Sequence, residues 1–252
     1  MCWQAGFQSR LHVRADCFQL SSFTLRYLRQ KNTLLKKIRD KEIEEKSGQR
    51  LNVSLTQQLF EQGAALTRYR LQAIDEMEPL LLKEFFQIMD EHYANISLKY
   101  SISGVSVRSL SEQELLNAMY KRWEELKERE VATGLCLVGP HKHDIHFNFN
   151  DQDARFFCSQ GQQRAIILAF KMAQTRLHYK AHKVFPLLLL DDVLSELDKE
   201  KQTRFVKYLL STEAQIFLTT TDATAIPAIA RGSVFNVEEG VFTKGQRLVQ
   251  EA

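Results

Sequence analysis

The chain has 252 residues, of which 44% are hydrophobic and 26% charged, enough apolar material for one large domain or two modest ones with a real core. A formal net charge of +3 is mildly basic and does not by itself demand a nucleic-acid partner. The four cysteines (Cys2, Cys17, Cys136 and Cys158) form no C-x-x-C pair, which argues against a disulfide framework or a zinc site and for free thiols in a reducing cytosol. There is no run of 18 or more apolar residues and no charged-then-apolar leader at Met1–Phe7, so a cytoplasmic protein is expected.

Residues 1–23 show little periodicity and read as a frayed or foreign segment. From about Phe23, Leu28, Leu34, Leu35 and Ile38 recur at helical spacing among Arg26, Arg29, Lys31, Lys36, Lys37, Arg39 and Lys41. The basic residues are either a solvated helix face or a surface for DNA phosphate. Ser47-Gly48-Gln49 is expected to break this helix, and a second runs from about Ser54 to His92 with a kink at Pro79. Ile96 to Val107 alternates like one or two short strands. Ser111, with Glu114 three residues on, then opens a third helix with a capping box. Residues 24–131 are thus expected to form a mainly helical lobe.

Beyond Glu130 the pattern changes to that of an α/β unit over 132–252. Leu135–Val138 and Ile145–Phe149 are strand candidates, and Ala165–Tyr179 is a helix. Leu187–Leu190 is wholly apolar and reads as a strand buried on both faces. A helix over 199–210 and a strand at Ile216–Thr219 complete a βαβ unit, which implies parallel pairing. Residues 234–237 and 241–243, flanking Glu238-Glu239-Gly240, predict a hairpin.

The chemistry-bearing residues cluster in this second part. Asp191 and Asp192 follow the apolar strand, the position at which open α/β sheets bind ligands. One carboxylate there suits a Mg²⁺ ion held through its waters, and the other suits an attacking water; the plainer alternative is a strand ending in a polar turn. Ser195-Glu196-Leu197-Asp198 follows within one loop. Some 30 residues earlier, Ser159-Gln160-Gly161-Gln162-Gln163-Arg164 opens a helix whose free N–H groups suit a phosphate, although Ser159 and Gln162 also satisfy a plain capping box. A metal site built from His141, His143, Asp144 and His146 is disfavoured, because His146 points to the opposite strand face.

In this order the segments resemble the signature helix, Walker B strand, D-loop and switch of ATP-binding-cassette heads of the SMC and RecF group. Within it the wording is similar to the RecF family: Gly139-Pro140-His141-Lys142-His143-Asp144, then Ser159–Arg164, Leu187–Asp192 with Ser195–Asp198, and Thr219-Thr220-Thr221-Asp222. Gln30-Lys31-Asn32-Thr33-Leu34-Leu35-Lys36 is similar to the start of that family's helical lobe. The resemblance covers about residues 23–243. It implies a partial ABC-type ATPase head, α/β with a mostly parallel sheet and flanking helices, joined to the helical lobe. It also implies ATP and Mg²⁺ as cofactors, binding to gapped and single-strand–double-strand junction DNA in recombinational repair, replication restart and the SOS response, mediator partners of the RecR and RecO type, and an ATP-dependent homodimer. Carried over, Asp191 would serve Mg²⁺ and Asp192 the attacking water. Ser159, Gln160, Gly161 and Gln162 would meet the γ-phosphate held by the opposite subunit, Asp198 would cross the dimer interface, and Thr221 and Asp222 would sense the γ-phosphate. Lys36, Lys37, Arg39 and Lys41 are the candidates for DNA.

The sequence departs from the family in one respect. G-x-x-x-x-G-K-[ST] is absent: the pair Gly134 and Gly139 continues into Pro140-His141, and Gly240 and Gly245 into Gln246-Arg247. Without that cradle most triphosphate contacts are missing. A gene fragment, truncated reading frame or split protein is therefore expected, which alone would not hydrolyse ATP, and whose Leu187–Leu190 strand would keep an uncovered face. The alternative to an ATPase is a non-catalytic module that retains only a dimer or partner interface.

Overall fold

A computed structural model describes residues 15–91, 93–102, 104–195, 197–221 and 232–245. It divides into two compact units, Met1–Glu76 with Leu98–Phe147, and Met77–Ser97 with Asn148–Ala252. The expected division after residue 131 falls inside a helix. The elements in order are α1 (Ala15–Arg39), α2 (Glu45–Met89), β1 (Ile96–Ile102), β2 (Val105–Ser106), α3 (Glu112–Thr133), β3 (Asp144–Phe149), β4 (Gln152–Asp153), α4 (Ala154–Phe157), α5 (Gln160–His182), β5 (Leu188–Leu190), α6 (Lys199–Leu210), β6 (Ile216–Leu218), β7 (Phe235–Glu238) and β8 (Val241–Lys244).

In the first unit, α1 starts within the stretch that lacked periodicity and ends in a turn where Lys41 takes φ 57°. The break expected at Ser47-Gly48-Gln49 lies at this turn instead, and Gly48 is inside α2. The reason is packing: a Cβ on Gly48 would stand 2.8 Å from Ile38 Cγ1 and 3.2 Å from Ile43 Cγ2. The glycine marks a close approach of the chain, not a helix end. α3 begins as expected, with Ser111 and Glu114 forming a reciprocal capping box, and it ends at Gly134 in the left-handed region at φ 69°.

Leu135–Val138 is not a strand. Its N–H groups are taken by side chains: Glu130 Oε1 accepts from Leu137 N at 2.6 Å and Val138 N at 3.3 Å, and Asn32 Oδ1 accepts from Cys136 N at 2.7 Å. With these donors satisfied, the segment needs no sheet partner. Glu130 is itself fully buried and stands 2.9 Å from the equally buried Lys31 Nζ. Trp123 Nε1 donates to Glu130 Oε2 at 3.0 Å, and the Lys31 ammonium lies 5.8 Å from the Phe60 ring centre and 5.5 Å from that of Trp123. The pair thus ties α1 to α3 and shapes the loop that follows. Burial also pushes the Cys136 thiol up to about 12, so it stays protonated. Deeper in the unit, His143 Nδ1 lies 3.0 Å from the Tyr100 hydroxyl, and burial holds its pKa down at about 3, so the ring is neutral.

A four-stranded sheet has the order β2-β1-β3-β4, with antiparallel ladders at Ser101↔Ser106 and Asn148↔Asp153. In the second unit β5 and β6 pair parallel, Leu188 opposite Ile216 and Leu190 opposite Leu218, with α6 as the crossover. β7 and β8 form the expected antiparallel hairpin. A mostly parallel sheet is therefore not what the described residues form, since parallel pairing is confined to β5 and β6. The strand at Leu187–Leu190 is open on one face, as expected for a chain without the phosphate-cradle half, and not buried on both as its apolar run alone implies. Leu188 and Leu190 are buried, but Leu189 is 66% exposed and Phe217 on β6 is 53% exposed. Successive side chains alternate across a strand, and only one face here is covered.

The Lys31–Glu130 pair makes a direct prediction. Lys31→Met leaves a buried carboxylate without its counter-charge and is expected to cost about 3 kcal/mol or more in urea unfolding. The double variant Lys31→Met/Glu130→Gln should recover part of that loss. Additive losses would show that the two groups do not act as a pair.

Candidate nucleotide site

The parallel pair sets the geometry. Asp191 and Asp192 leave the carboxyl end of β5 and Thr219 leaves the carboxyl end of β6, so all three stand at one rim of the sheet. Thr219 N donates to Leu190 O at 2.9 Å, which carries the ladder one residue past the end of β6. The Thr219 hydroxyl then donates to Asp191 Oδ1 at 2.5 Å and accepts from Asp192 N at 3.0 Å. Asp191 is exposed, whereas Asp192 is half-buried in the left-handed region at φ 44°, and its Oδ1 is buried without a hydrogen-bond partner among the described residues. A non-glycine residue at that φ is uncommon and is held in place by its surroundings.

The surroundings are identifiable. Asp192 O accepts from Ser195 Oγ at 3.1 Å and from Arg164 Nη2 at 3.4 Å. The loop beyond is anchored by buried Val193, Leu194 and Leu197, and Gln202 Nε2 donates to both Leu194 O and Leu197 O at 2.9 Å. Asp198 is exposed and caps α6, accepting from Lys201 N at 2.9 Å, with Lys201 Nζ at 2.8 Å. The Lys201 side chain and that N–H hold its carboxyl below the usual range. Thr221 is exposed; Asp222 lies outside the described residues.

The other predicted element is the start of α5. Ser159 Oγ accepts from Gln162 N at 3.2 Å, and Gln162 Oε1 accepts from Ser159 N at 3.0 Å, so the reciprocal cap expected from sequence is formed. Ser159 and Gln160 are exposed, while Gly161 and Gln162 are half-buried. Gln162 Nε2 also donates to Glu91 Oε2 at 3.3 Å, and Gln163 Nε2 donates to Cys158 O at 3.1 Å. Arg164, one turn into this helix, is the residue that reaches the Asp192 carbonyl, so the cap and the acidic turn are joined within one unit.

The sequence assigns no individual role to Glu91, Arg164, Gln202 or Thr219. Thr219 alone had a usable signal, since in a parallel βαβ unit the residues just past both strand ends must face one another.

The DNA candidates belong to the first unit. Lys36, Lys37, Arg39 and Lys41 are exposed at the end of α1 and its turn. Arg39 is engaged locally, by Asp40 at 2.8 Å and by donation from Nη1 to Thr133 O at 3.3 Å. Among the described residues no group of three or more His, Cys, Asp or Glu is placed to hold a metal ion, and no helix is long and apolar enough to cross a membrane.

No family model matches the chain. The DNA replication and repair protein RecF of Trichlorobacter lovleyi is 34% identical over 221 residues, spanning 86% of this chain and 56% of that protein. RecF of Staphylococcus carnosus is 34% identical over 224 residues, spanning 87% of this chain and 58% of that protein. The chain belongs to the RecF family. A solved structure of the recombination mediator RecF with ATP, from the RecFOR pathway, shares its fold with a TM-score of 0.72 at 23% identity, covering 96% of this chain and 62% of that one. The chain spans less than two thirds of the length of each, and this partial coverage fits a C-terminal portion of a RecF protein. The fold is correspondingly of the α/β type found in RecF heads.

The capping geometry is testable on its own. Ser159→Ala removes the acceptor for Gln162 N and is expected to lower stability by about 1 kcal/mol in denaturant unfolding. An unchanged midpoint would mean that the cap is not formed in solution.

Proposed function

We propose that this chain supplies the acidic and signature half of an ATP-binding head in a DNA replication and repair protein of the RecF type. The observation that carries the reading is the single sheet rim at which Asp191, Asp192 and Thr219 meet, joined through Arg164 to the Ser159 helix cap. The described residues fit half of a nucleotide site. Asp192 Oδ1 is a buried acceptor with spare capacity, Asp191 is exposed beside it, and Ser159 opens a helix of 23 residues.

In this reading Asp191 would hold Mg²⁺, and Asp192 would orient the attacking water and accept its proton. The chemistry supplied with the bound nucleotide is transfer of the γ-phosphoryl group to that water. Ser159, Gln160, Gly161 and Gln162 address the γ-phosphate held by the phosphate-cradle half of the opposite subunit, through the N–H groups and dipole of α5. Asp198 lies on that homodimer contact, and Thr221 with Asp222 responds to the γ-phosphate. Lys36, Lys37, Arg39 and Lys41 contact phosphates of junction DNA, and mediator proteins of the RecR and RecO type are the partners. The compartment is the cytoplasm.

The residues given contain no G-x-x-x-x-G-K-[ST], and a second reading is a non-catalytic module that keeps the dimer or partner interface alone. The two separate in an ATPase assay. The half-site reading expects no Mg²⁺-dependent turnover by the chain alone. It expects turnover when the chain is mixed with the portion of the Trichlorobacter lovleyi relative that it does not match, and loss of that turnover with Asp191→Asn. Mixed-chain turnover indifferent to Asp191→Asn removes the assigned role of this acid. Turnover by the chain alone, abolished by Asp191→Ala, refutes the half-site itself.

For the DNA surface, replacing Lys36 and Lys37 together by Glu is expected to weaken binding of a gapped duplex and flatten its salt dependence. Binding equal to that of the unaltered chain retires these residues as contacts.

A further inference from the structure

We infer that Thr219 is a positioning residue for the acidic pair: its hydroxyl fixes the Asp191 carboxylate and pins the Asp192 backbone, so that one oxygen of Asp191 is presented outward to a divalent cation. The inference rests on the reading of Asp191 as the metal-bearing acid and adds to it a residue from the neighbouring strand.

The geometry is specific. A hydroxyl has one proton and two lone pairs, and Thr219 uses them on two different residues. It donates its proton to Asp191 Oδ1 at 2.5 Å and accepts the N–H of Asp192 at 3.0 Å. Its own N–H is tied to Leu190 O at 2.9 Å, so the threonine backbone cannot drift from the end of β5. As a β-branched residue it has restricted χ1 freedom, and the hydroxyl is therefore aimed by the backbone. An exposed aspartate at a strand tip otherwise samples several rotamers.

The two bonds act together. Donation to Oδ1 occupies one oxygen of Asp191 and leaves Oδ2 as the free ligand. Acceptance from Asp192 N helps hold that residue at φ 44°, where its carbonyl is also gripped by Ser195 Oγ and Arg164 Nη2. Removing the hydroxyl frees the Asp191 rotamer and withdraws one of three hydrogen bonds on the strained turn. Carboxylate ligands of metal sites are oriented in this way by neighbouring hydrogen bonds, and loss of such a partner typically weakens metal binding by about tenfold or more.

The test uses the full chain and Mn²⁺ alone as the probe, followed by paramagnetic broadening of the Asp191, Asp192 and Val193 amide signals. The unaltered chain should show broadening confined to this rim. Thr219→Val, which keeps the shape and loses the hydroxyl, should need about tenfold more Mn²⁺ for the same broadening, while Thr219→Ser should restore the original response. Asp191→Asn should abolish it. If Thr219→Val responds to Mn²⁺ like the unaltered chain while Asp191→Asn does not respond, the role of Thr219 is overturned and that of Asp191 stands. If Asp191→Asn still broadens like the unaltered chain, the reading of Asp191 falls and the inference with it. If Thr219→Ser is as weak as Thr219→Val, the hydroxyl is not the operative group and the inference is overturned.

Discussion

Three residues of β5 lie parallel and in register with three of β6, and the meeting of Asp191, Asp192 and Thr219 depends on that alignment. Parallel strands end on the same side of a sheet, so whatever follows each of them meets its neighbour. Here an acidic pair follows one strand and a threonine the other. A shift of one residue in the register would carry Thr219 away from both Asp191 and Asp192. It would also turn Leu188 and Leu190 out of the core, and the energy of burying them keeps the register where it is.

The rim is held from several directions by groups outside the acidic pair. Arg164 reaches from α5, Ser195 from the loop, and Gln202 from α6, each giving hydrogen bonds to backbone carbonyls of the segment between Asp192 and Leu197. Buried Val193, Leu194 and Leu197 supply the apolar anchor beneath. The left-handed conformation of Asp192 is tolerated because so many contacts determine it. On the other face of the strands, Leu189 and Phe217 are exposed, which is unusual for parallel strands.

The first unit rests on a different device. Lys31 and Glu130 carry opposite charges into a fully buried position, and the carboxylate is surrounded by an indole N–H and two backbone N–H groups. Such a pair depends on complete satisfaction of the carboxylate, which the loop over residues 135–138 provides by giving up its own chance of sheet pairing. The same economy of donors explains why a sequence that reads as a strand there does not form one.

The sequence alone determined the parts governed by local rules. Both capping boxes, at Ser111 and Ser159, the span of α6, the βαβ order and the final hairpin were legible, because each depends on residues a few positions apart. The acids and the helix cap were legible as motifs for the same reason. Tertiary structure decided the rest. Gly48 reads as a helix break until Ile38 and Ile43 are seen to press against it, and Leu135–Val138 reads as a strand until Glu130 claims its donors. The pairing of Thr219 with Asp191 also lies beyond the motif, since the two are 28 residues apart. Propensity and periodicity describe what a segment can be; which partner satisfies its hydrogen bonds and which side is covered are set by residues distant in sequence.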